Sequence, residues 1–506
     1  MNITAPRVHG TLLAASAVLA LIAVSAPTAH AQSRHVRVAG RFIPEHASIA
    51  PSDSSQAAHT NHASRAHSYG GAAADAALAR RPGASNQSLP QREPDDLAPL
   101  GDLPEAPVPA ETERDDEREE EAEVEGVAAD EALDGFLGPL MPREFGGVTG
   151  EYINTGEVFL NARGGIATAD STHYRGNLDV VVQVDTQKQQ LWDGGRFFIY
   201  GQSDHGRSIS EDYVGDYQLI SNLDSAPKLE IAQISEYWYR QDFGDGNLGF
   251  KAGKQDANAD FAFADLGGDF INSSFGQIPT VPLPTFPNPG LGLACFCHLH
   301  DNALISGGIY DGLPDGGQWG FSHLGEYGCM SLAQLELHQP EEWGNGLPGT
   351  LRIGGWYHSG DPTEVVASPH PRLLGHNYGA WGTFDKMLLS ETGADGDQQG
   401  LGFFGQFGWA PDDRNLVDQH YAGGVLYRGP MHGRDLDVVG VGVTNVLYGS
   451  PARRYFGLTY ETASEVFYKA YLTDSVALQL DLQYITNPGG AYPDSIAPGV
   501  RFEVVL

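Results

Sequence analysis

The carboxyl-terminal part of the chain alternates between apolar and polar side chains, and this period of two predicts β-strands. In residues 476–485, one face would carry Val476, Leu478, Leu480, Leu482 and Tyr484, and the other Ala477, Gln479, Asp481 and Gln483. Successive side chains of a strand point to opposite faces. A strand of about ten residues with one apolar face matches a membrane-spanning strand.

The last residues of the chain, 499–506, alternate in the same way. Phe502, Val504 and Leu506 share a face. This suits the closing strand of an outer-membrane barrel. A hairpin in a soluble β-sandwich would alternate equally well, so the rest of the chain has to decide between the two.

From residue 144 to the end, Gly, aromatic and alternating segments dominate, and we predict about sixteen strands. The expected starts lie near Tyr152, Gly176, Gly195, Glu230, Asn247, Gly292, Ala303, Tyr327, Thr350, His376, Gly400, Leu416, Asp437, Ala463, Val476 and Pro498. Such a number of strands is normal for a porin-sized barrel. The predicted fold is therefore all-β, a transmembrane antiparallel β-barrel over residues 144–506.

The connections between these strands alternate between short and long. Short ones cover 241–246, 300–302 and 473–475, and long ones cover 204–229 and 256–291. Short turns face the periplasm and long loops face outside, so both ends of the barrel segment would be periplasmic. The same alternation of periplasmic and external connections makes 411–415 a tight external loop.

The long connection 256–291 is rich in proline. Proline holds an extended, stiff path and cannot donate to a β-ladder. A stiff loop of this length can fold into the barrel and narrow it, or it can form a rigid cap on the surface. Both interpretations stay open at the level of sequence.

The amino terminus predicts a secretory signal peptide over residues 1–31. Arg7 supplies the positive region, residues 11–24 are apolar and small, and Ala29-His30-Ala31 gives an A-x-A cleavage pattern before Gln32.

Residues 32–143 are rich in Ala, Pro, Ser, Asp and Glu, with a strongly acidic run over 111–125. Like charges at this density repel, so we predict a disordered acidic segment. A solvated linker is the simpler interpretation. A short helix over 124–137 that docks on the periplasmic mouth is the alternative.

Three cysteines occur, Cys295, Cys297 and Cys329. A disulfide from either of the first two to Cys329 is compatible with an oxidising compartment. The run from Cys295 to His300 resembles a metal motif, but on a strand its cysteines and histidines would face opposite ways. Tetrahedral ligands must converge, so we expect no metal, and no cofactor either.

Several short motifs, taken in order, resemble the carbohydrate-selective porins of the OprB type. They are Asp212-Tyr-Val-Gly-Asp216, Ser221-Asn222, Glu236-Tyr-Trp-Tyr239, Asn272-Ser-Ser-Phe-Gly276, Leu347-Pro-Gly-Thr350, Gly354-Gly-Trp-Tyr-His-Ser-Gly360, Gly400-Leu-Gly-Phe-Phe-Gly405, Arg414-Asn-Leu-Val-Asp418, Leu480-Asp-Leu-Gln-Tyr-Ile485 and Asn487-Pro-Gly-Gly490. The resemblance runs from about residue 150 to the end. It implies a sixteen-stranded outer-membrane barrel that lets sugars diffuse into the periplasm. Cys295, Cys297 and the final Leu506, where such barrels often end in Phe, depart from the pattern.

A pore that favours sugars needs aromatic platforms beside charged hydrogen-bonding groups. Glu236, Trp238 and Arg240 would share one face, with Tyr237 and Tyr239 towards lipid. The candidate pore-lining residues are Glu236, Trp238, Arg240, Arg352, Trp356, Asp179, Asp185, Lys251, Asp418, Arg428 and Asp481. We expect Asp418 and His420 to pair with Arg428. For each residue alone, an ordinary structural role in the lumen is the simpler interpretation.

The net charge of −35 argues against nucleic acid or a phosphate channel, which would need clustered Arg and Lys. No G-x-S-x-G motif supports a barrel enzyme such as a lipase, so we expect a non-enzymatic protein. The expected partners are mono- or disaccharides and outer-membrane lipid, with the protein a monomer or homotrimer. A general diffusion porin and a secreted sugar-binding β-protein are the alternatives.

Overall fold

The computed structural model describes residues 146–506 except 225–230, 245, 313–318, 340–345, 392–398 and 474. In this part of the chain, sixteen strands form one closed antiparallel barrel, in which each strand pairs with its neighbours in sequence and β1 pairs with β16. The strands are β1 Val148–Leu160, β2 Thr172–Asp185, β3 Gly195–Gly206, β4 Ile231–Phe243, β5 Leu248–Gln255, β6 Gly290–His300, β7 Ala303–Asp311, β8 Cys329–His338, β9 Gly349–His358, β10 Asn377–Met387, β11 Gly400–Trp409, β12 Val417–Arg428, β13 Val438–Tyr448, β14 Tyr460–Thr473, β15 Val476–Thr486 and β16 Ser495–Val505.

The predicted fold is confirmed, and the predicted strand starts lie close to the observed ones. The largest differences are at Tyr152 and Gly176, where the strands begin at Val148 and Thr172.

Helical structure in the described residues is limited to the connections. Two short α-helices are present, α1 (Ser273–Gly276) and α2 (Ser450–Phe456). Single turns of other helix types cover Ser210–Val214, Asp265–Gly267 and Pro488–Gly490. Among the described residues, no helix has the length and apolar character needed to cross a bilayer.

The outer face of the barrel wall is apolar, and along β15 the inner face is polar. Leu480 is 53% exposed on the outer face, whereas Gln479 and Asp481 are buried on the inner face. This is the reverse of a soluble protein, where large apolar side chains are mostly inside. The apolar outer face suits contact with lipid. Pairing of β1 with β16 closes the sheet and leaves no strand edge unpaired.

Long and short connections segregate to opposite ends of the barrel. β6 and β7, and likewise β14 and β15, meet through connections of only a few residues at the short-turn end. The opposite, long-loop end carries L2, described over 207–224, and L3 (256–289). The predicted tight loop 411–415 lies at this end too, between β11 and β12.

L3 folds into the barrel, so the inward alternative is the correct one. Two wall carboxylates hold its backbone with both oxygens. Glu465 of β14 accepts from the N–H groups of Ile271 and Asn272, at 2.7 and 2.9 Å. In the same way, Asp385 of β10 accepts from the backbone N–H groups of Asp265 and Leu266, at 3.1 and 2.9 Å.

L2 also folds inward, which the sequence did not indicate. Glu461 of β14 accepts from the N–H groups of Tyr217 and Gln218, at 2.6 and 2.8 Å. The two loops bind each other, because Asn222 N–H donates to the carbonyl of Ile271 at 2.8 Å. L2 and L3 together therefore determine how much of the cross-section of the barrel stays open.

The predicted signal peptide 1–31, the acidic segment 32–143 and the docking helix 124–137 lie outside the described residues. All three cysteines are free thiols, so neither of the disulfides considered above is present.

Candidate functional site

A cavity of about 380 Å³ lies between the wall formed by β16 and β1 to β4 and the inner parts of L2 and L3. Small-ligand sites typically measure roughly 300–1,000 Å³. The lining consists of Thr155, Asn177, Asp179, Tyr200, Gln202, Asn222, Leu223, Ser235, Asp256, Asn258, Ser273, Gly276, Gln277, Thr285, Phe286, Arg501 and Glu503. The cavity is thus rich in amides and carboxylates, with two aromatic rings.

Asp179 on β2 is the predicted site residue that lines this cavity. Its Oδ1 accepts from the hydroxyl of Tyr200 at 2.6 Å and from Nδ2 of Asn177 at 2.8 Å. The pairing of β2 with β3 places Asp179 opposite Gln202. Both partners of the carboxylate are neutral donors.

Two amide groups in the lining retain unused hydrogen-bonding capacity. Asn177 is 3% exposed and its Oδ1 has no hydrogen-bond partner. Gln277 of L3 is 9% exposed and its Nε2 likewise has none. Buried polar atoms are normally paired, so this acceptor and this donor are two atoms of the lining residues whose hydrogen-bonding capacity is unused.

Asp256 begins L3 and ties it to the wall. Its Oδ2 accepts from the hydroxyl of Thr285 at 2.8 Å, and its Oδ1 accepts from the N–H of Asn258 at 2.7 Å. Its own N–H donates to Oε2 of Glu236 at 2.9 Å. Glu236 therefore fixes the entry of L3 into the barrel.

Trp238 continues the inner face of β4 towards the short-turn end. Its Nε1 donates to Glu236 at 3.2 Å. Phe198 of β3 stacks on its ring, with centroids 4.6 Å apart, and Nζ of Lys251 of β5 lies 4.6 Å from the ring centroid. Because β3 and β5 flank β4 on its two sides, the indole is held between an aromatic ring and a cation.

Lys251 and Arg240, the two cations on this inner surface, each pair with a carboxylate. Nζ of Lys251 lies 2.7 Å from Asp260 of L3, and Nε of Arg240 donates to Asp242 at 2.9 Å. Arg240 also lies 4.7 Å above the ring of Phe296. Of the predicted trio, Glu236 and Trp238 are in direct contact, and Lys251, a separate candidate, lies against Trp238.

Arg352 and Trp356 of β9 hold L3 in place. The guanidinium of Arg352 contacts three carboxylates, those of Glu336, Asp265 and Asp385, at 2.8, 2.9 and 3.2 Å. Trp356 is 3% exposed and packs in an apolar cluster with L3 residues, among them Phe261 and Ile278. Both side chains lie behind L3.

The remaining predicted residues do not converge on the cavity. Asp185 accepts from the N–H groups of Gln187 and Lys188 in the turn after β2. Asp418 lies at a bulge where β12 begins, and Arg428 lies at the other end of that strand, about 30 Å away at the usual rise per residue. The predicted pairing of Asp418 and His420 with Arg428 is therefore not formed.

Arg428 faces L3, and Asp481 lies next to a residue that binds L2. Arg428 donates to Asp269 of L3 at 3.3 Å. Asp481 accepts from the amide of Gln483, which also donates to the carbonyl of Ile220 in L2.

The cavity also contains residues that sequence reasoning missed. Tyr200 follows the outward-facing Phe197 and Ile199 along β3, so the same period-two argument applied to β3 would have found it. Gln202 lies between Gly201 and Ser203, where the apolar alternation ends. Asn222 and Gln277 belong to irregular loops, where no periodic signal exists. In the described part of the chain, no group of three or more His, Cys, Asp or Glu could hold a metal ion.

A closed antiparallel barrel of this kind, apolar towards lipid and narrowed by inward loops, defines an outer-membrane porin. The model of the OprB family of carbohydrate-selective porins matches residues 169–506. The chain therefore belongs to the OprB family, and it is a carbohydrate-selective porin of the bacterial outer membrane.

Individual relatives agree with this assignment. Porin B of Pseudomonas aeruginosa is 23% identical over 400 residues, which cover 70% of this chain and 86% of that protein. The putative porin QuiX of Acinetobacter baylyi is 20% identical over 373 residues, covering 65% and 82%. The high-pH structure of Pseudomonas putida OprB has the same fold, with a TM-score of 0.65, 19% identity, and coverage of 71% of this chain and 94% of that one.

Proposed function

We propose that the cavity between L2, L3 and the wall of β16 and β1 to β4 is the part of the pore where sugars are sorted. The observation that carries this proposal is the lining itself, in which amide and carboxylate groups stand beside the rings of Tyr200 and Phe286. The channel works by passive diffusion and without a catalytic step.

The chemistry of this lining fits a polyol. Sugar hydroxyls both donate and accept hydrogen bonds, so they match Asp179 as an acceptor and the side-chain amide of Gln277 as a donor. Aromatic rings offer apolar faces to the C–H groups of a sugar. A molecule leaving the cavity would next meet the Phe198 and Trp238 stack, nearer the short-turn end.

The expected cargo is a mono- or disaccharide, and nucleic acid is not a partner. Outer-membrane lipid covers the apolar outer face, and the protein works as a monomer or a homotrimer. The predicted pore-lining residues behind L3, Arg352 and Trp356, act on the pore by holding that loop.

Liposome swelling tests this assignment. Changing Asp179 to Ala removes the carboxylate that orders Tyr200 and Asn177, so glucose entry should slow relative to entry of an uncharged non-sugar of similar size. Asp301→Ala, in the exposed turn between β6 and β7, is the matched control and should leave the ratio unchanged. An unchanged ratio in the Asp179 variant would contradict the assignment and leave a general diffusion porin.

A further inference from the structure

The cavity carries more negative charge than its cations neutralise. Four charged residues belong to its lining, Asp179, Asp256, Glu503 and Arg501. Arg501 is paired with Glu157 at 2.6 Å, and Glu503 with Lys469 at 2.7 Å. Within the described residues, the hydrogen bonds that Asp179 and Asp256 accept come from hydroxyl, amide and backbone donors.

The positive side chain that acts on Asp256 is shared with other groups. Lys251 acts on the Asp256 carboxyl but is bound to Asp260 at 2.7 Å and lies against Trp238. Glu236 adds a further carboxylate beside the backbone of Asp256. Burial raises the pKa of the Asp256 carboxyl, and the hydrogen bond from Thr285 opposes that shift. A cationic guest molecule would offset the free-energy cost of burying the charged carboxylate in the same way, by favouring its ionised form.

The neutral groups of the cavity add the requirement for a polyol. Nδ2 of Asn177 donates to Asp179, so its Oδ1 points away from the carboxylate and lacks a partner. Nε2 of Gln277 also lacks a partner. A bare metal ion would use neither an amide donor nor an aromatic ring, and a simple ammonium ion would leave the Gln277 donor unpaired.

From this combination we infer that the cavity prefers a cationic sugar, that is, an amino sugar whose ammonium group lies between Asp179 and Asp256 while its hydroxyls meet Asn177 and Gln277. This inference rests on the proposed sorting role of the cavity and deepens it. Neutral sugars pass through the same site with weaker binding, because hydrogen bonds to neutral groups contribute less than those to charged groups.

Single-channel current block in a planar bilayer tests the preference. The full-length protein is exposed to glucosamine, N-acetylglucosamine, glucose and methylammonium, at about pH 6 so that the amine is protonated, and in about 0.1 M salt so that screening stays moderate. Glucosamine should block at a concentration at least about tenfold lower than the three others.

The variants Asp179→Asn and Asp256→Asn keep the shape of each side chain and remove its charge. Either variant should reduce the advantage of glucosamine over glucose to less than about threefold, with block by glucose measured on the same variant as the reference. Asp301→Asn, outside the cavity, should behave as the unchanged protein. Unitary conductance and the β-sheet circular dichroism of each variant verify that the barrel has folded.

Three outcomes would overturn the inference. They are equal block by glucosamine and N-acetylglucosamine, an advantage that survives both substitutions together, and methylammonium blocking as well as glucosamine, which would mean a plain cation site. Absence of block by every sugar is a different result, since it would contradict the sorting role of the cavity itself.

Discussion

Trp238 is a single residue whose side chain organises the inner face of β4. It joins Phe198, Lys251 and Glu236 through stacking, a cation contact and a hydrogen bond. Changing Trp238 to Ala should weaken sugar-dependent current block by about three- to tenfold, because contacts of this kind are worth about 0.5–1.5 kcal/mol. The barrel itself should fold, since its strand pairs are untouched.

Tyr237→Ala is the matched control for Trp238, because it removes a neighbouring aromatic that points outward, where its hydroxyl donates to the carbonyl of Trp319. Sugar block should be unchanged in that variant. Equal block in the Trp238 variant and the unchanged protein would exclude Trp238 from the sugar pathway.

Asp437, in the turn between β12 and β13, gives a pH prediction. Although burial raises its pKa, hydrogen bonds from Tyr468 and the N–H of Tyr471, with the guanidinium of Arg434, outweigh burial and hold the pKa below its usual value. A carboxyl group with a lowered folded-state pKa stabilises the fold above its unfolded pKa of 3.8, and this contribution is lost as the pH falls through the folded-state value.

Denaturant unfolding in detergent as a function of pH measures this contribution. The unchanged protein should lose more stability on acidification below about pH 4 than Asp437→Asn does. Parallel pH profiles for the two proteins would show that the Asp437 contacts do not contribute.

At the scale of elements, L3 is held by wall carboxylates that each bind two backbone N–H groups. Glu465→Ala would leave the N–H groups of Ile271 and Asn272 without their acceptor, at a cost of about 1–3 kcal/mol. We expect a larger and noisier single-channel conductance, because that part of L3 is then free to leave the wall. Glu151→Ala, on an exposed position of β1, serves as control. A conductance equal to that of the unchanged protein would show that L3 is held without Glu465.

The elements also show what could be predicted from the sequence. Period-two alternation located the strands, because a residue that faces lipid and one that faces the lumen must differ in polarity. The inward path of L2 could not be predicted, since its anchors Glu461 and Arg501 lie more than two hundred residues further along the chain. Asp179 was predicted because it lies on a regular strand. Gln277 lies on an irregular loop, and the sequence does not show that this loop folds against the cavity.

At the scale of the whole molecule, the outer surface is built for lipid. Leu480 lies near the middle of β15 and faces outward. Changing Leu480 to Arg should lower the free energy of unfolding by roughly 2–4 kcal/mol if it lies near the bilayer midplane. Reversible unfolding in lipid vesicles, with Leu480→Ala as the control for lost side-chain volume, measures the difference. An Arg variant as stable as the Ala variant would contradict a lipid-facing position.

The central claim is that this barrel is a sugar-selective channel. The most direct test is the conductance of the purified protein in a planar bilayer, titrated with mono- and disaccharides. We predict discrete channels whose current is blocked in a saturable manner by sugar and not by neutral non-sugar solutes of the same size. Channels that respond equally to sugars and to those solutes would contradict selectivity.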